Sequence, residues 1–191
     1  IENQRQVFTE LGCEVVDACL EFERADEVFK ILRAFRFAMK FGGLVDEHRA
    51  LMKETVLWNI AEGQKLSGED IANAQRWRTE LFNKAVDFFD QFDFLVGPVS
   101  QVAAFNVEEE FVSEIEGTQF DTYIDWMQSC YFVTATGMPA ISVPAGFTTN
   151  GLPVGMQIIG GYRRDLEVLK IANAFELATN VSAETPELAL A

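Results

Sequence analysis

From Ala25 onward, apolar residues recur at helical spacing through Val28, Ile31, Leu32, Phe35, Ala38 and Met39, until Gly42-Gly43 interrupts the run. That period predicts an amphipathic helix with one buried stripe. Ahead of it, Val7, Phe8 and Leu11 predict a short opening helix stopped at Gly12, a residue that accepts the positive φ of a helix end. Cys13 to Leu20 then reads as a short buried strand. A second helix is expected through Leu51, Leu57, Ile60 and Ala61. A third begins at Ser67-Gly68-Glu69-Asp70, where Ser67 can cap free N–H groups and the two acids sit at the positive end of the helix dipole. Its buried stripe runs through Ile71, Ala74, Leu81, Ala85 and Phe88.

The second half of the chain changes period. Asp93-Phe94-Leu95-Val96 is a compact apolar run stopped by Gly97-Pro98, and it predicts a strand with a loop at its C-terminal end. Residues 99–120 lack periodicity and contain Glu108-Glu109-Glu110, which predicts a long exposed loop of the kind that often carries function. A fourth helix is expected from Asp121 to Ala135. Two strands follow, Ala140 to Val143 and Val154 to Ile159, around a turn at Asn150-Gly151, a dipeptide suited to positive φ. A last helix runs from Asp165 to Thr179, and residues 181–191 are expected to form a mobile tail. The order αβ, three helices, βα, ββ, α predicts a mixed α/β layer architecture with helices covering a few strands. Because Ala140 to Val143 is apolar without alternation, it is expected in the middle of the sheet, covered on both faces.

Composition narrows the function classes. The 191 residues, 49% of them hydrophobic, suffice for one domain with a core. Thirty acidic against fifteen basic residues give a net charge of -15, which repels nucleic-acid phosphate and anionic membrane surfaces. Neither is an expected partner. Three cysteines without CxxC spacing argue against a disulfide framework, so a cytoplasmic location is the expectation.

Candidate chemistry is sparse. None of Ser67, Ser100, Ser113, Ser129, Ser142 or Ser182 sits in a GxSxG elbow. Lys30, Lys40, Lys53, Lys65, Lys84 and Lys170 fall on expected helices or their ends and read as solvated surface lysines. Ser142, between Ile141 and Val143, reads as a packed or backbone-bonded strand serine, and His48 as a surface residue rather than a general base. Cys130 shares a predicted helix with Trp126; it reads first as a small buried hydrophobe and second as a pocket-lining residue. One histidine and no cysteine pair leave no expected metal site, and no phosphate-binding glycine loop occurs.

Two segments carry a family resemblance. Thr136-Gly137-Met138-Pro139-Ala140-Ile141-Ser142-Val143-Pro144-Ala145-Gly146, followed by Asn150-Gly151-Leu152-Pro153-Val154-Gly155-Met156-Gln157-Ile158-Ile159-Gly160-Gly161, resembles the C-terminal end of amidase signature enzymes. Phe92-Asp93-Phe94-Leu95-Val96-Gly97-Pro98-Val99 and Arg164-Asp165-Leu166-Glu167-Val168-Leu169 look like the same family, although many members carry Pro-Thr where this chain has Pro98-Val99. The resemblance implies a mixed-sheet fold of which residues 1–191 form one incomplete domain, the C-terminal segment. It also implies carboxamide hydrolysis by a lysine that acts through a bridging serine on a nucleophilic serine, without cofactor or metal. None of those catalytic groups maps onto a residue of this chain, which is therefore expected to be inactive alone. What the family implies here is a substrate-pocket wall, at Pro98, Val99, Ser100, Trp126 and Cys130. The expected partners are a small amide substrate, an N-terminal catalytic segment and a second copy of the chain. The alternative is a noncatalytic stand-alone domain that binds a small molecule or a protein.

Overall fold

The computed structural model describes residues 1–186. Its centre is a three-stranded antiparallel sheet in the order β1 (Phe94–Pro98), β5 (Pro153–Gly160), β4 (Ala140–Phe147). Leu95 pairs with Ile159 and Gly97 with Gln157 on one side, while Ala140 pairs with Ile159 and Ser142 with Gln157 on the other. β5, not β4, is thus the central strand, contrary to the expectation from apolar content. The burial pattern explains the difference: Val143 and Ala145 face the core, but Ala140, Ser142 and Pro144 at the alternate positions are exposed. β4 alternates after all, with small residues disguising its outer positions.

Helices cover both faces of this sheet. The opening helix α1 (Arg5–Glu10) and the closing helix α7 (Asp165–Thr179) pack on one face. There Phe8, Val143, Ala145, Met156, Ile158, Ala172 and Phe175 form one cluster, with Phe8 and Phe175 stacked at 5.2 Å. On the other face, α5 (Gly68–Phe89) and α6 (Gln128–Thr136) bring Ala85, Phe89 and Val133 against Ile159 and Met138. Beyond them lies α2 (Ala25–Phe41), whose Ala25 and Val28 meet Leu81 of α5 and Ala135 of α6, and α4 (Glu54–Lys65) packs against α2 in turn. α2 and α4 approach so closely that a Cβ on Gly63 would lie 2.1 Å from the Ala34 carbonyl oxygen.

Several elements form as their residues dictate. Ser67 and Asp70 make a reciprocal capping box, the Ser67 Oγ accepting from Asp70 N–H and the Asp70 carboxylate accepting from Ser67 N–H. α6 ends on Gly137 at φ 74, a left-handed cap that turns the chain directly into β4.

Elsewhere the structure departs from expectation. Cys13 to Leu20, expected as a short buried strand, has no regular secondary structure and pairs with no described strand: only Leu20 is buried, Cys13 and Val15 pack half-buried on the core, and the residues between Val15 and Leu20 are exposed. Too few of its side chains face the core to build a buried ladder. The second predicted helix is broken. A single turn α3 (Val45–His48) and a 3-10 turn (Arg49–Leu51) precede the extended Met52 and Lys53, and Leu51 is 85% exposed. The fourth helix starts at Gln128 rather than Asp121, after a 3-10 turn over Asp125–Met127 that is opened by the Asp125 carboxylate accepting from both the N–H and the hydroxyl of Thr122. The 99–120 segment holds a small hairpin, β2 (Glu114–Ile115) and β3 (Thr118–Gln119), turning at Glu116 and Gly117, both at positive φ. Of the tail expected at 181–191, Val181–Ala183 form a 3-10 turn against β4, and residues 187–191 lie outside the described residues.

Candidate functional site

Where β1 ends, β5 runs beside it with β4 beyond, and α6 lies across them, leaving an open cavity of about 440 Å³. Its lining includes Val99, Cys130, Thr134, Met138, Ser142 and Gln157. The register places Gly97, Gln157 and Ser142 in one row across the three strands. Small side chains at two of those positions keep the floor low, and a Cβ added to Gly97 would meet nothing within 4 Å. At Gly155 the floor is tight, since a Cβ there would come within 3.1 Å of Ser142 Oγ and 3.3 Å of Val99 Cγ2.

One wall is held by a dense set of hydrogen bonds. Gln157, buried in the central strand, donates from Nε2 to the Pro98 carbonyl at 2.9 Å and to the Ser129 carbonyl at 2.8 Å. Ser129 Oγ and Cys130 Sγ both donate to the Val99 carbonyl, each at 2.7 Å. The end of β1 is thereby tied to the first turn of α6 through β5. Burial pushes the Cys130 thiol up, against an opposing pull from Ser129, so at neutral pH it is a thiol donor, not a thiolate nucleophile.

A charged network anchors the same N-terminal end of α6 to α2. Lys30 on α2 reaches Asp125 at 2.5 Å and Asp26 at 2.9 Å, and the Tyr131 hydroxyl donates to Asp26. Lys30 is thus a paired, half-buried lysine rather than the solvated one its helical position suggested. Burial alone would lower its pKa, but the hydrogen bonds to Asp125 and Asp26 outweigh it and the net direction is up. For Asp125, burial is likewise overridden by Lys30 and Thr122, and its carboxyl is held below the ordinary value. Burial, then the neighbouring Asp26, pushes the Tyr131 hydroxyl up.

Of the five residues expected to form a wall, the cavity is lined by Val99 and Cys130, with Pro98 contributing its carbonyl as an anchor. Ser100 is exposed on the following bend, and Trp126 packs edge-on against Phe105 at 5.3 Å instead of lining the cavity. Ser142 is exposed over the floor, not packed, and His48 stands on α3 with Nε2 3.9 Å from Glu47. Gln157, Ser129 and Thr134 escaped the sequence reading. Gln157 had a signal, as the one polar residue in Met156-Gln157-Ile158-Ile159. No group of three or more His, Cys, Asp or Glu is disposed to hold a metal ion among the described residues, nor is any helix there long and apolar enough to cross a membrane.

The comparisons with known proteins agree with this architecture. An acylamidase of Rhodococcus erythropolis is 31% identical over 172 residues, which is 88% of this chain and 36% of that protein. A glutamyl-tRNA(Gln) amidotransferase subunit from Chromobacterium violaceum is 37% identical over 115 residues, 60% of this chain and 23% of that protein. Among solved structures, a bacterial aryl acylamidase of the amidase signature enzymes superposes with a TM-score of 0.80 at 30% identity, covering 95% of this chain and 40% of its own. A 6-aminohexanoate cyclic dimer hydrolase shares the fold at a TM-score of 0.81 and 20% identity. The chain therefore spans well under half the length of these relatives. The family model for amidases matches residues 5–169, and the chain belongs to the amidase family, that of the amidase signature enzymes.

Proposed function

We propose that this chain supplies the C-terminal share of an amide hydrolase, forming sheet strands and one wall of the substrate pocket while the nucleophile and its lysine come from a preceding segment. The observation that carries this reading is the cavity itself: its wall is rigidly built, yet among the described residues none of its hydroxyl or thiol groups faces a base. Ser129 and Cys130 donate to the Val99 carbonyl and Thr134 donates to the Cys130 carbonyl, whereas an activated nucleophile needs a base within hydrogen-bond reach. Val99 and Cys130 would touch the substrate, an amide whose hydrolysis gives a carboxylic acid and an amine or ammonia.

The free edge of β4 supports the partner half of the proposal. Gly160 N–H donates to the Pro139 carbonyl, so by the alternation of an antiparallel ladder the backbone groups of Ala140 and Ser142 point away from β5. A row of groups that pair with no other strand among the described residues, on a strand with no edge lysine, is a template for another strand, and a preceding segment of the same protein is the occupant we propose, with self-association the other outcome. A cytoplasmic setting without nucleic-acid or membrane partners fits the charge of -15.

The test is hydrolysis of para-nitroacetanilide. The 191-residue chain alone should release no para-nitroaniline, and a longer protein that includes the preceding segment should. Turnover by the chain alone that disappears in Ser142→Ala would overturn the division of labour. Loss of the anilide reaction together with gain of glutamine hydrolysis in the longer protein would assign the pocket to an amidotransferase.

A further inference from the structure

We infer that the Gln157 side-chain carbonyl is a fixed hydrogen-bond acceptor for the N–H of the substrate, so that the cavity selects amides carrying an N–H over esters and tertiary amides. This rests on the amide pocket proposed above and adds its specificity determinant. Gln157 lines the cavity and is only 8% exposed. Both hydrogens of its Nε2 are committed to the protein, one to the Pro98 carbonyl at 2.9 Å and one to the Ser129 carbonyl at 2.8 Å. Because both partners are acceptors, the amide stands in one orientation only; turned over, its oxygen would face two carbonyls. Oε1 is left over. Among the described residues nothing donates to it, yet Arg33 Nε is the only fully covered side-chain polar atom there that lacks a partner. Oε1 therefore keeps accessible surface, and the space that Gln157 lines is the cavity.

The other polar groups of the lining show why this atom discriminates. Cys130 Sγ donates to the Val99 carbonyl and Thr134 Oγ1 to the Cys130 carbonyl, so their hydrogens are already placed. Ser142 stands opposite Gln157 in a pair without mutual backbone hydrogen bonds, the kind that brings facing side chains closest. Its hydroxyl can donate or accept, and so cannot tell an N–H from an ester oxygen. Gln157 Oε1 can only accept. An amide N–H satisfies it, whereas an ester oxygen at the same place sets lone pairs against lone pairs and leaves a nearly buried carbonyl unmet. Two bonds already hold the Gln157 side chain, so little rotamer freedom remains to be lost when a ligand binds. Around the acceptor, Val99, Val133 and Met138 offer apolar surface for the body of such an amide.

N-methylbenzamide and methyl benzoate have nearly the same shape and differ by an N–H in place of an oxygen. Their titration into the isotope-labelled 191-residue chain isolates the acceptor. N-methylbenzamide should shift the Gln157 Nε2 resonances and bind about fivefold or more tighter than methyl benzoate, the effect of one hydrogen bond to an acceptor otherwise unmet. Gln157→Leu should bring the two affinities together, and Ser142→Ala should leave them apart. The inference is overturned if neither compound shifts the Gln157 resonances, if both bind wild type equally, or if the preference survives Gln157→Leu. Loss of the preference in Ser142→Ala overturns it too, by giving the role to the serine hydroxyl. The wild-type comparison and Ser142→Ala decide the matter even where Gln157→Leu fails to fold. Repeated with the longer protein, a preference that disappears would mean that the preceding segment itself donates to Oε1, which also overturns the inference. None of these measurements needs turnover, so their failure is distinct from failure of the anilide hydrolysis that tests the proposed function.

Discussion

One face of the three-stranded sheet is closed by α1 and α7, with Met156, Ile158 and Phe175 fully buried between them. The other is covered by α5 and α6 only in part, and along the row Gly97, Gln157, Ser142 it stays open as a cavity. The strands are the same; only the alternate residues differ. Bulky aliphatic side chains on one side leave no volume, while a glycine, an amide and a hydroxyl on the other leave a floor that needs polar ties to hold its walls. Stability on the first face thus rests on packing, and on the second on a few hydrogen bonds, where the cavity lies.

The sharpest way to break this contrast is to remove the largest side chain of the sealed face. Phe175→Ala should destabilise the chain by about 3–5 kcal/mol, because Phe175 is fully buried and stacked on Phe8, which helix α1 cannot move far enough to replace. Urea unfolding checks it. A loss below about 1 kcal/mol, well under the usual cost of such a cavity, would mean that this face is no better packed than the other.

On the open face the largest effect should come from Gln157→Leu. The substitution fills similar volume but strips the Pro98 and Ser129 carbonyls of their shared donor, at a cost of about 1–3 kcal/mol. Its signature is local. Hydrogen exchange should accelerate in the first turn of α6 and the end of β1, while the amides of α7 keep their protection. Uniform acceleration through both faces would show that the cavity wall is not a separable unit.

How much of this was legible beforehand differs between the faces in the same way. The closing helix, Asp165–Thr179, matches its predicted bounds, and the capped helix starting at Ser67 was equally plain, since local spacing and capping chemistry determine both. The Cys13 to Leu20 segment was misread as a buried strand, because its apolar content is local while burial and pairing depend on what a distant strand offers. β4 was misplaced to the sheet centre because alanine, serine and proline at its outer positions do not look polar. In the cavity, Val99 and Cys130 were anticipated through the family resemblance. Gln157 and Ser129 were not, because Gln157 reaches carbonyls 59 and 28 residues away in sequence and the Ser129 hydroxyl one 30 residues away, a relation no local pattern encodes. Lys30 escaped for the same reason, since its partner Asp125 lies on a turn far along the chain.

The smallest expected effect concerns how the cover of the open face is anchored. Asp125 precedes α6 and ties it to Lys30 on α2, so Asp125→Asn should loosen that cover by about 1 kcal/mol, a modest amount because Lys30 remains 36% exposed and keeps Asp26. The pH dependence gives the sign. The Asp125 carboxyl is lowered in the folded chain from an ordinary value of 3.8, so its stabilisation is complete above that pH and is lost as pH falls through the lower folded value. Lys30 is raised from 10.5, so its share is complete below that pH and is lost only at more alkaline values. The difference in unfolding free energy between wild type and Asp125→Asn should therefore be constant between those two limits and shrink on acidification below 3.8. A difference that persists undiminished in strong acid would mean that Asp125 acts through its turn with Thr122, which an asparagine can mimic in part, and not through its charge.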